Sequence, residues 1–297
     1  VGMYYTQKNI ETNLNSNILV IMRFLFGGFY GLAQMVLAST LIIDASESSH
    51  RTEANYSATW FSRFALSLGP ILSLVIYKDF DICGVFCGSI ISALIAIVLV
   101  RMVHFPVKNS NDDIRTFSLD RFLLPQGFWL FINLAIITSV VGLLFTVQLS
   151  YVFYGMIFAG FSLALIAQKF VFANAELKSE VVTGLILIGV ALLLMITRRQ
   201  MIVSYIAPLF VGFGIGVIGS RFLLFFVKLS KHCQRGTSQS TYILAWETGI
   251  AIGLFFGYSF LAKDIHLLLL SCIVLIVIAL FLYNLFVHSW YFKHKNR

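Results

Sequence analysis

Nine stretches of roughly 20 predominantly apolar residues follow one another along this chain, at about 18–43, 56–77, 82–103, 122–145, 147–168, 181–197, 204–227, 238–261 and 265–288. A 20-residue helix is about 30 Å long, the thickness of a bilayer's hydrocarbon core. The runs carry Gly and Phe freely and do not alternate polar with apolar, so they read as helices and not as the strands of a membrane barrel. Helices satisfy their own backbone in lipid, which makes an all-α polytopic membrane bundle of nine transmembrane helices the expected fold.

Composition enters as the check on that reading. Hydrophobic residues make up 59% of the 297 and charged residues 11%, against about 25% charged in an ordinary soluble domain. One soluble core of this size has no room for so much apolar surface. The first fifteen residues are polar and lack the basic-then-apolar start of a signal peptide.

The basic residues assign the sides. With the C-terminal YFKHKNR placed in the cytoplasm, Arg51, Arg101, Lys108, Arg115, Arg121, Lys169, Lys178, Lys228, Lys231, Arg235, Lys293, Lys295 and Arg297 all fall inside. Only Lys8, Lys78, Arg198, Arg199 and Lys263 fall outside. That bias fits a multi-pass protein of the cytoplasmic membrane with a cytoplasmic C-terminus. The net charge of +8 is then topology, and no nucleic-acid partner is expected. Cys83, Cys87, Cys233 and Cys272 show no zinc or disulfide spacing, and the histidines do not cluster, so no metal and no cofactor are expected.

The longest polar interruption, HFPVKNSNDDIRTFSLDRF over 104–122, separates three runs from six. A shift of 184 residues lays the runs 18–43, 56–77 and 82–103 over 204–227, 238–261 and 265–288. It also maps Arg51 onto Arg235, and Ala65, Gly69 and Ser73 onto Gly249, Gly253 and Gly257. A parallel repeat of six-helix halves is a transporter architecture. On that register residues 1–103 are the remnant of an N-terminal half, 104–121 a cytoplasmic linker, and 122–297 a C-terminal six-helix half. The opening VGMYY reads as the last turn of a helix already under way, so three preceding helices are expected outside this sequence.

Arg23 followed by Gly27 and Gly28 resembles the fourth-helix motif of the major facilitator superfamily. ALSLGPILS, with Gly69–Pro70, resembles the fifth-helix motif of its exchangers, although Ala65 and Ser73–Leu74 stand where glycines are usual. Asp44 and Arg51 resemble the acidic-x6-basic loop of its sugar-porter branch. The resemblance covers the whole chain as helices four to twelve. It implies two halves rocking about a central site, a role for Arg23 in proton movement or packing, and a cytoplasmic gate at Asp44, Arg51 and Arg235.

Ionisable groups at membrane depth are expensive and usually face a cavity or a partner. Arg23, Arg63, Arg221 and Glu247 are the four inside the runs. Arg221 and Glu247 fall at matching depth on adjacent antiparallel helices, which predicts an ion pair, either structural or part of a proton relay. Arg63 has no carboxylate claimant. It suits an anionic substrate, a partner in the absent helices, or snorkelling to the interface. Arg23 is tolerated if it faces the bundle, with Gly27, Gly28 and Gly31 admitting a close neighbour. Tyr30, Gln34, Asn133, Gln148, Tyr151 and Trp246 complete the candidate cavity lining, and Gly69, Pro70, Gly249, Gly253 and Gly257 the helix packing.

The expected function is therefore a secondary active transporter, not an enzyme: a monomer in the lipid bilayer that moves a small molecule by alternating access with the proton as coupling ion. No nucleotide-binding loop is present. Two alternatives stand beside it. One is a membrane enzyme acting on a lipid-linked substrate, using the group Asp44, Glu47, His50 and Glu53. The other is a truncated carrier that no longer transports.

Overall fold

The structure is a computed structural model. It describes residues 16–37, 42, 50–103, 122–147, 150–172, 176–198, 200–231, 234–261 and 263–295. Asp44, Glu47, Gln148, Cys233 and the linker 104–121 lie outside the described residues.

The described residues are helical throughout, with no strand. α1 is Ser16–Val36 and α2 is Arg51–Met102. After a short 3-10 turn at Pro125–Gly127 come α3 (Phe128–Phe145), α4 (Tyr151–Phe170), α5 (Leu177–Thr197), α6 (Val203–Leu229) and α7 (Arg235–Phe256). α8 (Ile265–Leu282) continues through a π turn into α9 (His288–His294). Polar residues mark two of the starts. Ser150 accepts from the Val152 amide at 3.2 Å, and Asp264 accepts from His266 and Leu267 at 2.9 and 3.2 Å, each filling orphan donors of a first turn.

Seven helices among the described residues are long and apolar enough to cross a membrane. One of them, Glu53–Met102, has 50 residues. A straight helix of that length would run about 75 Å, more than twice a bilayer core. It is broken at Asp81, whose φ of 54° and ψ of −165° are not helical. Ile76 shows the consequence: its Cγ2 lies 3.1 Å from where a Cβ on Gly84 would sit, and its Cδ1 3.3 Å from one on Gly88. Eight and twelve residues apart, these positions meet because the chain turns back on itself at Asp81.

The chain divides into two compact units. The first comprises Val1–Asn55 and Gly69–Ile114, and so holds α1 and most of α2. Along α1, Phe24, Phe26, Phe29 and Tyr30 are exposed, and Gly27, Gly28 and Gly31 have nothing within 4 Å of an added Cβ.

The second unit comprises Tyr56–Leu68 with Arg115–Arg297. Its helices pack in a definite pattern: α3 against α7, α4 against α6, α5 against α6, and α8 against both α5 and α3. Glycines make the two closest crossings possible. A Cβ on Gly142 of α3 would come 3.0 Å from Cα of Gly253, and one on Gly253 2.9 Å from Cα of Gly142. Gly249 meets Ala135 and Thr138 in the same crossing. Between α4 and α6, Gly160 faces Gly212 and Phe213, while Gly212 faces Ile157. Gly257, just beyond α7, packs on Thr146. Close backbone approach of this kind, and not a hydrophobic drive, is what associates helices in lipid.

Candidate functional site

Three helices each present one face to a common point in the second unit. Trp60 and Arg63 are one turn apart on α2, Gly216, Gly219 and Ser220 share a face of α6, and Tyr242 and Trp246 are one turn apart on α7. Where they meet, the Arg63 guanidinium is buried, at 2% exposure. Its Nη1 donates to Ser220 Oγ at 2.7 Å and its Nη2 to Tyr242 Oη at 2.9 Å. Ser220 Oγ in turn donates to the Gly216 carbonyl at 3.0 Å. The Arg63 Cζ lies 4.6 Å from the Trp60 ring centre and 5.7 Å from that of Trp246. Both are within range for the attraction of a cation to an aromatic face.

Gly219 closes the last side. A Cβ there would lie 2.8 Å from Arg63 Nη2, 3.1 Å from Nε and 2.8 Å from the Trp246 ring. A larger residue there would force the guanidinium or the Trp246 ring to shift. Arg63 Nε has no hydrogen-bond partner, and among the described residues no carboxylate forms an ion pair with Arg63. Among the described residues, the cage thus holds the guanidinium with hydroxyls and ring faces.

The rest of the Tyr56–Leu68 segment docks beside the cage. Tyr56 Oη donates to Gln168 Oε1, Trp60 reaches to 3.5 Å of a Cβ on Gly216, and Phe64 packs on Phe158 with ring centres 5.2 Å apart.

A second buried charge site lies between α5 and α6. Arg221 Nε donates to Glu180 Oε2, and Nη2 reaches the Phe172 carbonyl at 3.4 Å. Glu180 is wholly buried and Arg221 18% exposed. This corrects the expected pairing of Arg221 with Glu247. Glu180 sits in the first turn of α5 and is nevertheless buried in the unit. Neighbouring residues on a helix point about 100° apart, so with Ser220 turned to Tyr242 and Arg63, Arg221 must face α5.

The remaining candidates separate. Trp246 belongs to the Arg63 cage. Asn133 is fully buried and donates to the Ala279 carbonyl at 3.0 Å, an interhelical bond from α3 to α8. Tyr151 is exposed at the start of α4. Gln34 donates to Tyr30 Oη at 2.7 Å on an exposed face of α1. Arg23 is exposed on α1 as well. Gly69 has open space at its Cβ position and Pro70 sits within α2. Glu247 lies half-buried on α7, one residue beyond Trp246, and Arg235 begins that helix. Arg51 begins α2. His50 contacts Glu53 at 3.1 Å on an exposed surface. No group of three or more metal-binding side chains occurs among the described residues.

Trp60, Ser220, Tyr242, Gln168 and Glu180 were not singled out from the sequence. The one-turn spacings Trp60–Arg63 and Tyr242–Trp246 were the available signal, since an aromatic a turn from a membrane arginine can cover its face.

No protein-family model matches the chain, and no curated protein matches it. The fold and the composition of its helices define the class: a multi-pass helical membrane protein.

Proposed function

We propose that this protein is a secondary active transporter of the major facilitator type, moving a small molecule across the cytoplasmic membrane by alternating access with protons as the coupling ion. One observation carries the reading, the pairing of helices in the second unit. Exchange α3, α4 and α5 for α6, α7 and α8 in order, and the pair α3–α7 becomes α6–α4, while α5–α6 becomes α8–α3. The α5–α8 pair maps onto itself. Two three-helix repeats interlocked in this way are the internal plan of each half of such carriers. The break of α2 at Asp81 and the apolar α1 are compatible with further spans beyond the seven long apolar helices among the described residues.

The buried charges support the same reading. Glu247, half-buried in the middle of α7, is a carboxylate on a spanning helix, and carboxylates at that depth serve as proton carriers in pumps and transporters. The cytoplasmic placement of the C-terminus rests on the Lys/Arg bias.

The test is flux in sealed vesicles holding the purified chain, with an imposed pH gradient and a panel of small carboxylates, phosphates and amphiphilic cations. Gradient-driven movement of one solute is expected, lost or uncoupled in Glu247→Gln. Folded protein that moves no member of the panel under any gradient refutes the proposal.

A further inference from the structure

We propose that Arg63 is at once an oxyanion-binding group and the pin that docks Tyr56–Leu68 onto α4, α6 and α7, so that pairing with a carboxylate or phosphate pulls the pin and frees the segment. The proposal rests on the carrier reading above and gives its substrate class and its trigger.

The argument begins with what holds the guanidinium. Its five N–H donors make two hydrogen bonds, both to hydroxyls, and Nε makes none. Two ring faces supply the rest of the attraction. A charge removed from water and held without a counter-charge is the weakest way to bury an arginine, since an oxyanion would offer a bidentate, charge-assisted pair. A cage of hydroxyls and rings can also be left without breaking an ion pair.

The geometry then makes binding and docking exclusive. The Nε–Nη2 edge, the one that would fork onto an oxyanion, lies against Gly219 at a separation that excludes even a methyl group. Trp60 and Trp246 take the faces, and Arg63 is 2% exposed. No oxyanion can reach that edge while the segment is docked. A ligand that binds only the undocked state shifts the equilibrium toward it. Among the described residues, the segment is held to the other helices, besides Arg63, by one side-chain hydrogen bond, Tyr56 to Gln168, and by the packing of Trp60 and Phe64. Few polar ties hold it, as a reversible contact requires.

The chain contains four tryptophans, at 60, 129, 246 and 290. With Trp129→Phe and Trp290→Phe, the emission that remains comes from the two that flank Arg63. The full chain in this background is placed in nanodiscs of zwitterionic lipid and titrated with benzoate and with inorganic phosphate, with benzyl alcohol as the neutral control. A parallel set of nanodiscs contains phosphatidylglycerol. Saturable emission change with the free anions supports a soluble oxyanion. Change only with the anionic lipid supports the same pin with a headgroup as its ligand. Arg63→Gln should start from the emission of the anion-saturated parent and bind about ten- to a hundredfold more weakly.

Gly219→Ala provides the reading that a merely structural arginine would not give. Its Cβ destabilises the docked state, so the titration should move to lower anion concentration, because apparent affinity rises with the undocked fraction. No response to any anion by folded protein, an undiminished response in Arg63→Gln, or a Gly219→Ala titration that fails to move to lower concentration overturns the proposal. Anion response without flux leaves the pin standing and removes the carrier reading. Gradient-driven flux that Arg63→Gln does not alter does the reverse.

Discussion

Replacing Glu180 by leucine should be the most costly single change in the second unit, and its size follows from the surroundings of Arg221. Glu180 is wholly buried, and it is the only carboxylate paired with Arg221 among the described residues. Without it the guanidinium keeps one long hydrogen bond, to the Phe172 carbonyl at 3.4 Å. Stranding one member of a buried pair costs about 3–5 kcal/mol. Arg221 keeps its bond to the Phe172 carbonyl and its long side chain can carry the charge toward the membrane interface, so the lower end, about 3 kcal/mol, is expected. Arg221→Met should cost less, because a stranded carboxylate can take up a proton and an arginine cannot lose one. The double variant should then be less damaged than the sum of the two by about 2 kcal/mol. The assay is unfolding of detergent-solubilised protein by rising dodecyl sulfate, followed by helix circular dichroism. A Glu180→Leu cost below about 1 kcal/mol, or single costs that simply add, would refute the claim that this pair closes α5 onto α6.

Four further outcomes are expected. Gly253→Ala pushes a Cβ into the Ser139 carbonyl and the Gly142 backbone and should cost about 1–3 kcal/mol in the same assay. Gly155→Ala, with nothing within 4 Å, should be neutral or gain up to about 1 kcal/mol of helix propensity. Asp81→Gly should raise the thermal midpoint in detergent by relieving a backbone conformation that side chains resist (φ 54° and ψ −165°), worth about 1 kcal/mol. Asp81→Val should lower it. Asn133→Leu should lose about 0.6 kcal/mol, the ordinary worth of one interhelical bond in a membrane protein, and a larger loss in ligand binding than in stability would place Asn133 at the site instead.

The parts of this fold that were legible in the sequence are those governed by distance along the chain. Bilayer thickness sets the length of an apolar run, so six of the runs correspond to α3–α8, and the break between 77 and 82 falls where Asp81 turns the chain. The cost of intramembrane charge picked out Arg63 and Arg221 for the same reason: composition at depth is a one-dimensional signal. The four-residue spacing of Gly249, Gly253 and Gly257 named the face of α7 that α3 approaches, because a stripe of small residues specifies a direction as well as a depth.

What was not legible was rotation about the helix axis. Depth matched Arg221 with Glu247, and depth was half of the problem. Gly219 and Ser220 face Arg63, and one further residue, about 100° on, carries Arg221 away from α7 to Glu180. The amphipathic signal that would have fixed this rotation is weak in a helix whose surroundings are apolar on every side. Glu180 was hidden for a related reason. The first turn of a spanning helix reads as interface, yet tertiary packing buries that turn, and only its neighbours on α6 reveal it. Arg63 shows the converse case: a charge whose sequence offers no partner, and whose structure supplies hydroxyls and ring faces in place of one. Among the described residues that cage contains hydroxyls and aromatic faces, a set of neighbours that charge counting along the sequence does not pick out.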